Sequence, residues 1–238
     1  MADLRWISFL LLALFPRYKN KIIWWGLDKA SSYITRYLQV LYFSHFNRFV
    51  FYSSSTLHKF SNILHGDTKW YVAQNSLAVP DQVSRSFGDK HFLNVGSLNY
   101  RKRNDLLFFA YQRYVQLTCN PLPLLIVGSG AELESLINLS FTLKIDKYVK
   151  FLGHIDSDSK ELIELYDNAV CSLSLGQAGL SILQSFGFSR PYISFKTAIS
   201  GGELENIISG FNGFLCDDIS DVVSKMLELS NDKIVLAH

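Results

Sequence analysis

With 238 residues the chain is longer than one ordinary domain needs, and 48% hydrophobic against 18% charged residues fills a sizeable core, which excludes an intrinsically disordered protein. Lys and Arg (23) nearly balance Asp and Glu (21), a net charge of +2 that gives no argument for nucleic-acid binding. Cys119, Cys171 and Cys216 lie far apart without a CxxC pair, so neither a disulfide framework nor a zinc site is indicated and a reducing, cytoplasmic setting is expected.

The apolar run Ile7 to Phe15 is about nine residues, well short of the roughly 20 that a membrane-spanning helix needs. Asp3 weakens a basic leader region, and Pro16 to Lys21 offers no small-residue cleavage site, so a buried or interfacial helix is the better reading than a secretory signal. Lys21 to Gly26 then reads as a short buried strand, residues 30 to 46 as a helix, and Phe49 to Tyr52 as a second strand. Ser53-Ser54-Ser55-Thr56 offers N-cap residues for a helix through His65, and Lys69 to Ala73 forms a third strand. The polar, aperiodic residues 81 to 90 are the best linker, which puts a boundary near residue 88 and divides the chain into 1–88 and 89–238.

Beyond the linker, strands are expected at Phe92 to Gly96, Leu124 to Gly128, Val149 to Gly153, Ala169 to Leu175, Tyr192 to Phe195 and Gly213 to Cys216. Helical patterns separate them at about 104–118, 131–143, 158–167 and 179–188. Short, nearly continuous apolar strands alternating with helices point to an α/β fold, a parallel sheet covered on both faces. Ligands of such sheets bind at the carboxyl ends of the strands.

At those ends the sequence places Gly96-Ser97-Leu98, Gly128-Ser129-Gly130, Gly153-His154 and Gly176-Gln177-Ala178-Gly179. Glycine lets backbone approach a ligand, and a helix opening near Gly179 turns its positive end toward whatever lies there, so a phosphate is the expected occupant. The same glycines also serve plain strand-to-helix turns. Arg101-Lys102-Arg103, shortly after the first of these strands, offers charge for the phosphate.

Several stretches then resemble a known family. Gly96 to Leu107 follows the pattern G-R-L-x-x-x-K-G-x-D-x-L with Lys102 and Asp105 matched and Ser97 in place of the arginine; Val127-Gly128-Ser129-Gly130 follows VGxG, and Val149 to Gly153 follows V-x-F-L-G. Gly201-Gly202-Glu203-Leu204-Glu205 through Asn212-Gly213 follows GGxxExxxxGxNG, and Gly176 to Pro191 follows E-G-F-G-L-x-x-x-E-A-x-A-x-G-x-P with Gly176 and Gln184 in place of its two glutamates. From Phe92 to about Asp218 the chain thus resembles the C-terminal, donor-binding domain of the GT-B fold glycosyltransferases of family 4, which use nucleotide sugars with retention. Residues 21 to 80 resemble more loosely the second half of that family's N-terminal acceptor domain, with Gly26 at an interdomain-cleft position.

The resemblance implies a GT-B-like fold: a complete C-terminal Rossmann-like parallel-sheet domain preceded by a partial N-terminal Rossmann-like domain, the chain starting inside that first domain and ending before a helix that crosses back. It implies a glycosyltransferase that takes a nucleoside diphosphate sugar, without metal or other cofactor, and a glycan or lipid-linked acceptor. Lys102, Arg101, Gly179, Leu180 and Ser181 would hold the diphosphate; Gly128, Gly130, Gly153, His154 and Gln184 the nucleotide and its ribose; Gln177, Glu203 and Glu205 the donor sugar. Gln184 keeps an amide for ribose hydroxyls, whereas Gly176 brings no side chain. No catalytic residue is assigned; Asp28 and His45 are the polar candidates near the expected cleft. Trp24, Trp25, Lys19 and Lys21 permit docking at the inner face of a membrane. The alternative is a non-catalytic, donor-binding remnant or assembly subunit. A nicotinamide enzyme is disfavoured because G-x-G-x-x-G would need glycine at Leu133.

Overall fold

The computed structural model describes residues 11, 15, 18, 21–26, 37, 43–44, 46–61, 68–78 and 90–231. Most of the N-terminal apolar run, most of the helix expected at 30–46, Asp28, His45, the end of the helix expected to reach His65 and the boundary at residue 88 lie outside the described residues. The chain forms two compact units, Met1–Asn75 and Ser76–His238.

In the first unit three short strands, β1 (Trp24–Gly26), β2 (Arg48–Phe51) and β3 (Lys69–Val72), pair in parallel in the order β1-β2-β3. Helix α1 (Ser54–Ser61) begins after Ser53, whose Oγ accepts the Thr56 N–H at 3.2 Å. Strand alternation puts Trp24, Phe49 and Phe51 on one face, where they pack with Phe43, Phe46 and Phe60. Trp24 meets Phe43 edge-on at 4.7 Å, and Phe51 stacks on Phe60 at 5.8 Å. The opposite face carries Trp25, Val50 and Tyr71 across one register, with Trp25 56% and Tyr71 60% exposed.

The second unit is a six-stranded parallel sheet. In chain order come β4 (His91–Val95), α2 (Asn104–Leu117), β5 (Leu124–Val127), α3 (Leu133–Thr142), β6 (Val149–Gly153), α4 (Lys160–Asn168), β7 (Ala169–Leu173), α5 (Leu180–Gly187), β8 (Tyr192–Phe195), β9 (Gly213–Cys216) and α6 (Ile219–Ser230). Strands β5, β8 and β9 carry apolar side chains on both faces because helices cover both. One layer packs Phe92, Ile126 and Leu173 under Leu107, Phe108, Tyr111, Leu136 and Val222 from α2, α3 and α6. The other packs Leu93, Leu125 and Val127 under Leu162 and Tyr166 of α4, with Ile182 of α5 over Tyr192 beside it.

The strand order is β6-β5-β4-β7-β8-β9. The chain therefore runs outward from β4 to one edge, returns to lay β7 against β4, and runs to the other edge. Adjacent crossovers diverge at the β4/β7 junction, and the carboxyl ends of those two strands are where sheets of this kind bind ligands. The six expected strands and four expected helices agree with the observed ones to within about two residues. Helix α6 was not anticipated, although Asp218, whose Oδ1 accepts the Asp221 N–H at 2.9 Å, and Val222, Val223 and Met226 at helical spacing are its marks.

Candidate functional site

Two loops meet where the sheet changes direction. Asn94 near the end of β4 donates Nδ2–H to the Leu173 carbonyl at 2.6 Å and ties the two central strands together at their carboxyl ends. After β4, the Asn99 side chain accepts the Arg101 N–H at 3.0 Å and caps a 3₁₀ turn, Tyr100–Lys102. Arg103 follows in the left-handed region at φ 49° and opens α2. After β7, the Gly176 N–H donates to the Lys102 carbonyl at 3.1 Å. A Cβ at Gly176 would run into the carbonyl oxygen of Arg101, so only glycine permits this approach.

The three consecutive cations separate into three environments. Arg101 is exposed and donates Nε–H to the Tyr100 hydroxyl at 3.2 Å, with the guanidinium 5.7 Å from that ring; the bond to Tyr100 raises its pKa. Arg103 forks onto Asp105, with Nε–Oδ1 and Nη2–Oδ2 both at 3.0 Å. Lys102 points inward, its Nζ 3.2 Å from the place a Cβ on Gly96 would take. Burial pushes its pKa down, and no hydrogen-bond or ion-pair partner offsets that among the described residues. The junction therefore holds an ammonium that has lost part of its water and gained no counter-charge among the described residues, an environment that an anion would relieve.

On the β7 side, Ser174 Oγ donates to the Gln177 carbonyl at 3.1 Å, and residues 176–178 are stitched to the loop after β8 by Ile199 N–H to Gly176 O (2.8 Å) and Ala178 N–H to Ile199 O (3.0 Å). Gly179 precedes α5, and the space its side chain would occupy is open. The first-turn N–H groups at Leu180 and Ser181 face outward from the helix start. Ser181 Oγ shares a hydrogen bond with the Tyr192 hydroxyl at 2.8 Å, and Gln184 Oε1 accepts from the Tyr166 hydroxyl at 3.3 Å.

The remaining expected residues are more dispersed. A Cβ at Gly128 would strike Gly96 O and one at Gly130 would strike Leu98 O, so these two glycines pack the loop after β5 beneath the loop after β4. Gly153, at φ 74°, ends the edge strand β6, and His154 beyond it is exposed with Nε2 3.3 Å from Asp156 Oδ1. Glu203 is buried, its Oε2 accepting the Gly201 N–H at 2.7 Å, while Glu205 is exposed on the 3₁₀ turn Glu203–Asn206. Gln177 is half-buried. Lys102 and Gly176 thus meet at the junction with α5 opening four residues after Gly176, His154 sits two strands away, and Glu203 is engaged with its own loop. Sequence reading did not single out Asn94, Tyr166 or Tyr192, which sit within apolar or helical patterns and bear no motif. Among the described residues no three His, Cys, Asp or Glu side chains gather to hold a metal, and no helix is long and apolar enough to cross a membrane.

Comparison with known proteins gives this geometry a context. Residues 80–237 match the family model described as glycosyl transferases group 1. N-acetyl-alpha-D-glucosaminyl L-malate synthase of Bacillus anthracis is 25% identical over 169 residues, 70% of this chain and 43% of that protein. TarM of S. aureus, solved with fondaparinux, alpha-GlcNAc-glycerol and UDP, superposes with a TM-score of 0.69 at 17% identity, over 86% of this chain and 41% of that one. The lipopolysaccharide outer core galactosyltransferase WaaB, in its apo form, superposes with a TM-score of 0.65 at 20% identity, over 79% of this chain and 54% of that one. The chain therefore spans about half the length of these relatives or less. The likeness bears out the GT-B-like fold class.

Proposed function

Since the chain belongs to the glycosyl transferases group 1 family, we propose that it moves a sugar from a nucleoside diphosphate donor to a glycan or lipid-linked acceptor during cell-surface polysaccharide assembly, with retention at the anomeric carbon. The observation that carries this reading is Lys102: a partly buried ammonium with no partner among the described residues, near Gly96 at the end of β4. In the transfer, the bond from the anomeric carbon to the diphosphate oxygen breaks, an acceptor hydroxyl oxygen takes its place on the same face, and the hydroxyl proton passes to the departing diphosphate oxygen. The departing diphosphate gathers negative charge, which the Lys102 ammonium and the first-turn N–H groups around Gly179, Leu180 and Ser181 stabilise without a metal. Arg101 adds charge from the surface. Gln184 meets the ribose, the base lies near Gly153 and His154, and the donor sugar faces Gln177 and the Glu203–Glu205 turn.

The comparisons support the choice of ligands. TarM was solved with UDP and alpha-GlcNAc-glycerol, and WaaB is named for the lipopolysaccharide outer core, so a UDP-linked donor and a surface-glycan acceptor are the first to test. The reading sets the protein in the cytoplasm, at the inner face of the membrane where such acceptors are assembled. A second reading, a donor-binding subunit without turnover, is favoured by Gly176: the loop at Arg101 leaves no room there for the glutamate that the family pattern places.

Calorimetric titration with UDP, GDP and ADP tests the site, and release of free sugar or transfer to a glycan primer tests turnover. Binding of one nucleotide, weakened about tenfold or more by Lys102→Ala, is expected, since bonds to a charged group are worth about 1.5–3 kcal/mol. Binding without turnover selects the second reading; no binding of any of the three overturns both.

A further inference from the structure

Two buried tyrosines reach α5, Tyr192 from the sheet beneath it and Tyr166 from the neighbouring helix α4. Tyr192 on β8 meets Ser181, and Tyr166 on α4 meets Gln184. The second contact has a directional consequence. The Tyr166 ring is fully buried and stacks on Phe188, the residue that ends α5, with centroids 4.6 Å apart and planes 9° from parallel. That stack fixes the height at which the hydroxyl meets the helix, and the hydroxyl reaches Gln184 Oε1 at 3.3 Å.

We propose that Tyr166 is a positioning residue: by donating to Gln184 Oε1 it fixes the amide so that its NH₂ group, and not its oxygen, faces the nucleotide. This rests on the donor-site reading above and adds to it the polarity of the ribose contact. Burial raises the Tyr166 pKa well beyond the ordinary phenol range, so the hydroxyl keeps its proton and remains the donor. A hydroxyl that donates to one end of an amide leaves the other end as a pair of N–H donors. Gln184 then recognises an acceptor, a ribose hydroxyl oxygen, and a ligand lacking that oxygen leaves an N–H unmet.

The test is calorimetric titration of the wild type, Tyr166→Phe, Gln184→Ala and the double variant with whichever of UDP, GDP and ADP binds, and with its 2′-deoxy and 3′-deoxy counterparts. Phenylalanine keeps the ring and its stack on Phe188, and a thermal melt confirms that the variant folds. Tyr166→Phe is expected to weaken nucleotide binding about threefold to tenfold, the worth of one hydrogen bond. It should also shrink the preference over one of the deoxy ligands, and have no further effect once Gln184 is alanine, because the tyrosine acts only through that amide. Unchanged affinity and preference in Tyr166→Phe, or a loss that adds fully to that of Gln184→Ala, overturns the positioning role while leaving the donor site standing. No nucleotide binding by the wild type, or binding indifferent to Gln184→Ala, overturns the ribose assignment itself and the positioning role with it.

Discussion

Two parallel sheets in one chain differ in how they are covered. In the first unit both described connections, through Phe43 and Phe46 and through α1, contribute to the Trp24–Phe49–Phe51 face, and Trp25 and Tyr71 on the other face stay more than half exposed. In the second unit helices cover both faces, because the chain reverses its direction of travel at β4/β7. The reversal covers the second face, and it also brings the loops after β4 and β7 together at the carboxyl ends of the two central strands. A three-strand run in the order β1-β2-β3 has no such reversal among the described residues. The residues expected to hold the donor all lie in the second unit, where that reversal occurs.

The sharpest way to break that contrast is to force the junction open. Gly176→Ala places a Cβ where the Arg101 carbonyl stands. Rigid backbone occupies the space, so the loops must separate. The expected cost is about 2–3 kcal/mol of stability, together with loss of nucleotide binding. Circular dichroism melts and calorimetry would show it, and a variant that melts and binds like the wild type would mean that the two loops do not touch in solution.

A smaller effect comes from Lys102, and it carries opposite signs for stability and for binding. Its folded-state pKa lies below the ordinary 10.5, so between that depressed value and 10.5 the unfolded chain binds more protons than the folded one. The contribution of Lys102 to stability therefore rises with pH across that window. Nucleotide affinity moves the other way, because the ammonium that meets the diphosphate disappears as pH climbs through the depressed pKa. Lys102→Met is expected to stabilise the fold by about 0.5–1 kcal/mol while weakening nucleotide binding. Lys102→Arg, charged throughout, is expected to keep an affinity that does not fall in that window. Calorimetry at several alkaline pH values, with denaturant melts alongside, separates the two signs.

How much of this was legible in the sequence follows from what each feature depends on. Strands and helices of the second unit were readable because their apolar runs are bounded by glycine or proline, as at Leu124 to Gly128 and at Pro191 before Tyr192. That Lys102 follows β4 and the Gly176–Gly179 loop follows β7 and leads into a helix was readable because glycines bound the apolar strand runs there. The separate environments of the three cations were not, since Arg103 pairs with Asp105 and Arg101 leans on Tyr100 only once the 3₁₀ turn is formed. Tyr166 was hidden for a similar reason. It stands 18 residues from Gln184, and only the layering of α4 against α5 brings the two side chains together. Gly128 and Gly130 read as ligand-facing glycines, whereas the close approach they permit is between two loops of the protein itself.

The smallest expected effect lies on the open face of the first sheet. All four tryptophans, Trp6, Trp24, Trp25 and Trp70, fall within Met1–Asn75, so tryptophan fluorescence follows that unit alone. Tyr71→Ser removes an aromatic ring that is already 60% exposed, and it stands beside Val50 on a surface that includes the cations Arg48 and Lys69. Little apolar area returns to water, so denaturant melts read by fluorescence are expected to shift by no more than about 0.5 kcal/mol. A loss of 2 kcal/mol or more would mean that the ring is buried in solution, since only a covered side chain forfeits that much on truncation. The first sheet would then share the two-sided burial of the second, and the difference between the two units would reduce to the reversal at β4/β7 alone.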